Sequence, residues 1–147
     1  MSPASRRGPR RRRLFPLLLV VAALLIAWLG PRVVRARSAL QWTRFHAAQA
    51  PDAFGQNARG LARWSVQTLD DAAPLPWGAT ACRLALDFGG RQEPTNPAAA
   101  LALYEKVRSA LERVSASRWR GFGLAGVLEE ARQREQALRA RPDIVKP

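Results

Sequence analysis

The chain has 147 residues, which allows one small domain in addition to a terminal segment. Its formal net charge is +13, and the first thirty positions hold six arginines and no acidic residue. The only cysteine, Cys82, excludes an intramolecular disulfide and a structural zinc site built from cysteines. Two interpretations of this thiol stay open: a small buried residue in a helix, or a thiol that forms a disulfide with a second chain.

Residues 14–30 form an apolar segment, LFPLLLVVAALLIAWLG, without a charged side chain. In a helix this segment extends about 26 Å, at the short end of the length that spans a bilayer. The arginines of residues 1–13 place this end in the cytoplasm and residues 31–147 on the opposite side. Gly30 and Pro31 are predicted to end or kink the helix. The pattern predicts a single-pass inner-membrane protein with a periplasmic C-terminal domain, if the source is a bacterium.

The main alternative for the same segment is a cleaved signal peptide. Its loss would release an exported soluble helical protein that binds a small or anionic ligand. The segment is long and rich in leucine, and arginines follow it at Arg32, Arg35 and Arg37. Such residues are unfavourable around a cleavage site, so we favour an uncleaved anchor.

Proline and glycine divide residues 31–141 into helical segments with short loops, and the tail at 142–147 is expected to fray. The predicted helices cover residues 33–50, 53–69, 76–88, 97–114 and 124–141. Asn96 is a suitable N-cap for the fourth, and Gly89-Gly90 is predicted to end the third. No run alternates as a strand does. The fold class is therefore all-α: one transmembrane helix, then a small antiparallel domain of about four to five helices.

Apolar residues recur at helical spacing in the third and fourth segments, and both stripes are too apolar to face water. We predict that five of them meet in one core: Leu84, Phe88, Tyr104, Val107 and Leu111. Residues 77–114 also resemble a single tetratricopeptide-type hairpin. The positions that carry the resemblance are Leu84, Ala85 and Phe88 in the first helix and Ala100 and Tyr104 in the second. The resemblance implies a protein-binding scaffold that carries no chemistry.

The residues that could carry chemistry are few and scattered. His46 has no acidic residue or cysteine three or four positions away, so a surface or partly buried histidine is expected rather than a metal ligand. The acidic pairs Asp70-Asp71 and Glu129-Glu130 are adjacent residues, which point apart on a helix and are usually solvated in a turn. We predict no enzymatic activity, no metal site and no cofactor.

One loop stands out as a candidate for binding a partner. Its residues are of the types that anchor interfaces: Arg118, Trp119, Arg120 and Phe122. In the alternative interpretation, Trp119 and Phe122 fold back under the neighbouring helices. The expected function is a membrane-anchored helical scaffold or accessory protein that helps to assemble a protein complex. Its expected partners are membrane lipid and a protein, with no nucleic acid and no small-molecule substrate.

Overall fold

The structure, a computed structural model, describes residues 10–72, 75–116 and 123–141, with side chains from residue 16 onward and up to 114 in the fourth helix. These residues form five helices and no strand, which confirms the all-α fold class, although the predicted membrane segment and the predicted helix at 33–50 are one continuous helix. The helices are α1 (Arg10–Ala48), α2 (Gln56–Ala72), α3 (Trp77–Gln92), α4 (Pro97–Ala116) and α5 (Leu124–Arg139). By its contacts the chain divides into two units, Met1–Arg32 and Val33–Pro147.

The N-terminal unit contains the apolar part of α1. Among the described residues, α1 is the one helix long and apolar enough to cross a membrane. Its apolar side chains are exposed, including Leu18 and Ile26, and the guanidinium of Arg32 lies 4.5 Å from the ring centroid of Trp28. A tryptophan beside an arginine is typical of the headgroup level of a bilayer. Length and composition are thus those of a helix that could span a membrane, a property that an anchor and a signal sequence share.

The helix does not end at Gly30 and Pro31, although the sequence predicted an end or a kink there. Pro31 lies inside α1, which continues to Ala48. Proline removes one backbone donor, so a helix can pass it if the residues beyond are held in helical form. In the C-terminal unit, one face of α1 is buried in the domain, which supplies that support. The buried residues are Ala36, Ala39, Leu40 and Thr43.

The C-terminal unit is an antiparallel array in which alternate helices run parallel. Leu69 near the end of α2 contacts Gly78 at the start of α3, and the Gln92 side chain at the end of α3 donates to the carbonyl of Asp52, 2.5 Å away. These two contacts make α2 and α3 antiparallel. A four-residue connection then returns the chain as α4, and α5 packs mainly on α4. The predicted antiparallel hairpin of α3 and α4 is present.

One core joins α2, α3, α4 and α5. Four of the five residues predicted to meet there do so: Phe88, Tyr104, Val107 and Leu111 are each at most 1% exposed. The fifth prediction is wrong, because Leu84 is only half-buried and Leu86 is fully buried instead. The α3 stripe therefore turns towards Leu86, since α3 must face both α2 and α4 rather than a single partner.

The start of α4 follows the sequence prediction. Asn96 caps the helix by accepting a hydrogen bond at Oδ1 from the backbone N–H of Ala99 (3.0 Å), and Pro97 is the first helical residue. Asp52 caps α2 similarly, accepting from the N–H groups of Gln56 (2.7 Å) and Asn57 (3.2 Å). Both caps stabilise helix starts that would otherwise expose unpaired donors.

The third helix does not end at Gly89-Gly90, as the sequence predicted, but continues through both residues to Gln92. Gly89 is buried, and a Cβ at this position would lie 2.9 Å from Cζ of Tyr104. The glycine is needed for this close approach of the Tyr104 ring rather than for a turn. Packing therefore overrides the helix-breaking tendency of two successive glycines.

Candidate partner-binding groove

The helices α2 and α4 run parallel and keep a constant register. At one end, the side chain of Asn96 donates to the carbonyl of Ala53 (2.9 Å); at the other, Arg113 donates to both carboxylate oxygens of Asp70 (3.1 Å each). Both pairs are 43 positions apart in sequence. The same offset places Arg63 on α2 level with Lys106 on α4.

A groove with a cavity volume of about 780 Å³ runs between these two helices. Its surface is mostly apolar, with small residues in the middle and larger side chains at the ends and along the floor. The apolar residues are Phe54, Ala58, Ala62, Val66, Ala98, Ala99, Ala102 and Leu103, and Gly55 completes the apolar surface. A volume of this size is within the range of pockets that hold a bound molecule.

Gly55 explains why the helices lie so close at the start of the groove. Its φ is +64°, a left-handed conformation that glycine adopts without strain. A Cβ at Gly55 would lie 2.7 Å from Cβ of Ala99. The turn before α2 therefore packs directly on α4, and the adjoining Phe54 is left 78% exposed at the mouth of the groove.

The polar residues of the groove are Asn96 and three cations, Arg59, Arg63 and Lys106; no described carboxylate lines it. All three cations are exposed, and none forms an ion pair with a described residue. Arg59 donates to the carbonyl of Phe54 (3.0 Å), and the guanidinium of Arg63 lies 5.0 Å from the ring centroid of Trp64. These contacts fix the positions of two cations without neutralising them.

Beyond Val66 the groove becomes electrostatically balanced. A second cavity there is lined by both Glu105 and Arg113. Glu105 accepts from Arg139 of α5 (2.7 Å), and Arg113 is held by Asp70. The positive, apolar part of the groove therefore runs from its mouth at Phe54 to the level of Arg63 and Lys106.

Aromatic residues of α1 and α2 form a second exposed patch in the C-terminal unit. The rings of Trp42 and Trp64 stack at 6.0 Å, and Phe45 packs edge-on against Trp42 at 5.7 Å. Trp42 and Phe45 are each about half exposed. His46 lies beside these rings and packs on Gly60, so it is partly buried as expected. Its Nδ1 has no hydrogen-bond partner within the described parts of the chain.

The residues predicted to bind a partner, Arg118, Trp119, Arg120 and Phe122, lie outside the described residues. The acidic pairs hold structural positions. Asp70 pairs with Arg113, Asp71 lies 3.7 Å from Arg35, and Glu130 lies 2.6 Å from Arg134. Residues 10–72, 75–116 and 123–141 contain no group of three or more histidine, cysteine or acidic side chains placed to hold a metal ion.

Cys82 is fully buried, as the first of its two interpretations expected. Burial disfavours the thiolate, and with a smaller contribution from Asp70 it raises the pKa of Cys82 to about 12. The native thiol is therefore protected from oxidation and from pairing with another chain.

The most strongly charged cluster outside the groove joins α4 and α5. Arg108 contacts Glu135 at 2.5 Å and Glu112 at 2.6 Å, and Arg132 contacts Glu112 at 3.0 Å. Hydrogen bonds from Arg132 and Arg108 lower the pKa of the Glu112 carboxyl. Each charge is satisfied within the cluster, so its role is to fix α5 on α4.

No known protein family matches the chain, and neither the curated proteins nor the solved structures contain a significant match. The groove was not predicted from the sequence, because its alanines read simply as good helix formers. One available signal was the spacing of Arg59 and Arg63, which puts two cations on one face of α2.

Proposed function

We propose that this protein is a non-enzymatic, membrane-anchored helical adaptor. The apolar part of α1 is the anchor, and the domain from Val33 onward binds a protein partner and helps to assemble a complex at the membrane surface. The observation that carries the proposal is the groove between α2 and α4. It combines an exposed apolar surface with three cations that no described carboxylate pairs, in a chain that also has a membrane-capable helix.

An anchor and a shallow groove complement each other energetically. Holding the domain at the membrane raises the effective concentration of a partner at the same surface, so a modest affinity is enough for assembly. The resemblance of residues 77–114 to a tetratricopeptide-type hairpin favours the same kind of role. We also keep the loop at residues 118–122, which the sequence singles out, as a proposed second contact for the partner.

The distribution of arginines supports an orientation. Six arginines precede the apolar segment, and Arg32, Arg35 and Arg37 follow it. This excess favours a cytoplasmic N-terminus and, in a bacterial inner membrane, a periplasmic domain. Ser109 is exposed on α4 and Cys82 is buried, so a Ser109→Cys variant gives one accessible thiol. A membrane-impermeant maleimide should label it from the periplasmic side; labelling only after the inner membrane is opened would reverse the orientation.

Photo-crosslinking in living cells tests the adaptor role. A photoreactive phenylalanine analogue in place of Phe54, exposed at the mouth of the groove, is compared with the same analogue at Ala137, exposed on α5. The expected result is a discrete adduct from position 54 alone, with a protein that co-purifies with the full chain in detergent and is lost from an Ala102→Trp variant. Equal adduct patterns from both positions, or none, would contradict a specific adaptor.

The intact mass of the purified protein tests the anchor independently. An uncleaved chain keeps its first thirty residues, whereas the exported soluble alternative loses them. A mass that lacks the first thirty residues would show that the segment is a cleaved signal peptide and not a membrane anchor.

A further inference from the structure

We infer that the partner segment held by the α2–α4 groove is an acidic amphipathic helix. This inference rests on the proposed function and adds the chemistry of the partner. Its apolar face would lie on the apolar surface of the groove, and its carboxylates would meet Arg59, Arg63 and Lys106.

Charge complementarity decides the sign of the partner's charge. The cations occupy both walls of the groove, with Arg63 level with Lys106 and Arg59 one turn away on α2. The lining contains no described carboxylate that could neutralise them. A partner with acidic residues flanking its apolar face gains attraction on both sides and associates faster at low salt.

The same charges argue against a second copy of this chain as the occupant. The residues after position 30 hold 18 basic and 11 acidic side chains, so two such domains repel each other. Several described carboxylates are also already committed. Glu105 pairs with Arg139, Glu112 with Arg108 and Arg132, and Asp70 with Arg113.

The shape of the groove favours a helix over a single lipid headgroup. From Gly55 to Val66 the α2 wall is about 17 Å long, or about three turns of a helix. Small residues at Ala58, Ala62 and Ala102 let a helix backbone approach closely. The apolar surface continues along this whole length, whereas a single anionic headgroup beside the cations would leave most of it uncovered. Exposed Phe54 at the mouth supplies an aromatic contact for one end of the helix.

The test uses the full chain in nanodiscs of phosphatidylcholine and a fluorescent synthetic peptide of about 15 residues. Leucines recur in this peptide at i, i+3, i+4 and i+7, and glutamates fill the other positions. A second peptide carries lysine in place of each glutamate. Fluorescence anisotropy measures binding to the parent, to the double variant Arg63→Glu/Lys106→Glu, and to Ala102→Trp, which fills the groove.

The matched control is Arg44→Glu/Arg83→Glu. Both arginines are exposed, lie outside the groove and form no ion pair with any residue that the structure describes. It changes the net charge by the same amount as the groove variant. Circular dichroism verifies that all variants keep the parent's helicity.

We expect the acidic peptide to bind the parent and the control with similar affinity. The Arg63→Glu/Lys106→Glu variant should bind it at least about tenfold more weakly and should bind the lysine peptide instead. Ala102→Trp should lose the acidic peptide without a change of charge. This reversal of peptide preference cannot arise from a general loss of stability.

Several results would overturn the inference. Equal weakening by the control variant would mean that binding is set by net charge alone. Binding to phosphatidylglycerol vesicles that needs Arg63 and Lys106, with no peptide binding, would assign the groove to lipid. If the sedimentation mass doubles as the protein concentration rises, and Ala102→Trp returns it to the mass of one chain, the groove would be assigned to a second copy. If the peptide fails but the crosslink from position 54 persists, the adaptor role stands and the acidic helix is wrong.

Discussion

The ring of Tyr104 on α4 lies against the backbone of Gly89 on α3, so closely that no side chain fits between them. Gly89→Ala should therefore destabilise the domain by about 1–3 kcal/mol, because the Tyr104 ring must move out of a packed core. Alanine is the better helix former, so helix propensity alone predicts the opposite sign. Urea unfolding of the full chain in a mild detergent, followed by circular dichroism, measures the difference.

Gly126→Ala is the matched control for this prediction. Gly126 also lies inside a helix, α5, but a Cβ there would meet nothing within 4 Å among the described residues. This change should stabilise the domain by up to about 1 kcal/mol. If both variants shift stability in the same direction, close packing of Tyr104 on Gly89 is not what keeps the glycine.

Leu111 and Leu84 should contribute very different amounts to the free energy of unfolding. Leu111 is 1% exposed, and Leu111→Ala should cost about 2–5 kcal/mol of unfolding free energy. Leu84 is half-buried and lies outside the core cluster, so Leu84→Ala should cost about 1 kcal/mol or less. Thermal melts of the two variants and the parent provide the comparison. A larger loss at Leu84 than at Leu111 would contradict the facing of α3.

The sequence predicts a solvent-facing Arg134 paired with Glu130 four residues earlier, and hence a cost under about 0.5 kcal/mol for Arg134→Ala. The structure adds a contact to α3 that the sequence did not predict. In the structure its guanidinium donates to the carbonyl of Leu86 (2.5 Å) and to Glu130 (2.6 Å). We therefore expect a loss of about 1–2 kcal/mol. Arg44→Ala, at an exposed position, is the control and should melt with the parent; equal melting of both variants would mean that the Arg134 contacts contribute nothing.

Alkaline pH should destabilise the domain through two buried groups. Burial raises the pKa of Cys82 to about 12, and burial with the hydrogen bond to Glu93 raises the pKa of Tyr104 above its ordinary value. Both groups hold their protons more tightly when folded, so the unfolded chain releases protons first as the pH rises. The free energy of unfolding should stay level up to about pH 9, where an unfolded thiol titrates, and then decline towards pH 12.

Urea titrations at a series of pH values measure this decline. Cys82→Ala should make the slope above pH 9 shallower, because it removes one of the two groups. The thiol of the parent should also resist iodoacetamide at pH 8 until urea unfolds the chain. Rapid alkylation of the native protein would contradict the buried position of Cys82.

The groove illustrates what sequence patterns miss. In the sequence, nothing distinguishes the alanines that line the groove from other helix-forming alanines, whereas aromatic and charged clusters do stand out. These alanines are Ala58, Ala62, Ala99 and Ala102. A groove exists only when two helices lie side by side, and the register of α2 and α4 depends on contacts 43 positions apart. No local pattern contains that spacing.

The sequence by itself determined the helical fold class, the apolar N-terminal helix, the cap at Asn96 and most of the core stripe of α4. These features depend on hydrophobic period, composition and local hydrogen bonding within a few residues. Only the tertiary structure decided that α1 passes Pro31, that α3 passes Gly89, and that Leu86 rather than Leu84 fills the core. At Pro31 and Gly89 the burial of a neighbouring surface outweighs a local preference of about 1–3 kcal/mol, because packing sums many contacts that are distant in sequence. The choice between Leu84 and Leu86 depends on which face of α3 meets its neighbours.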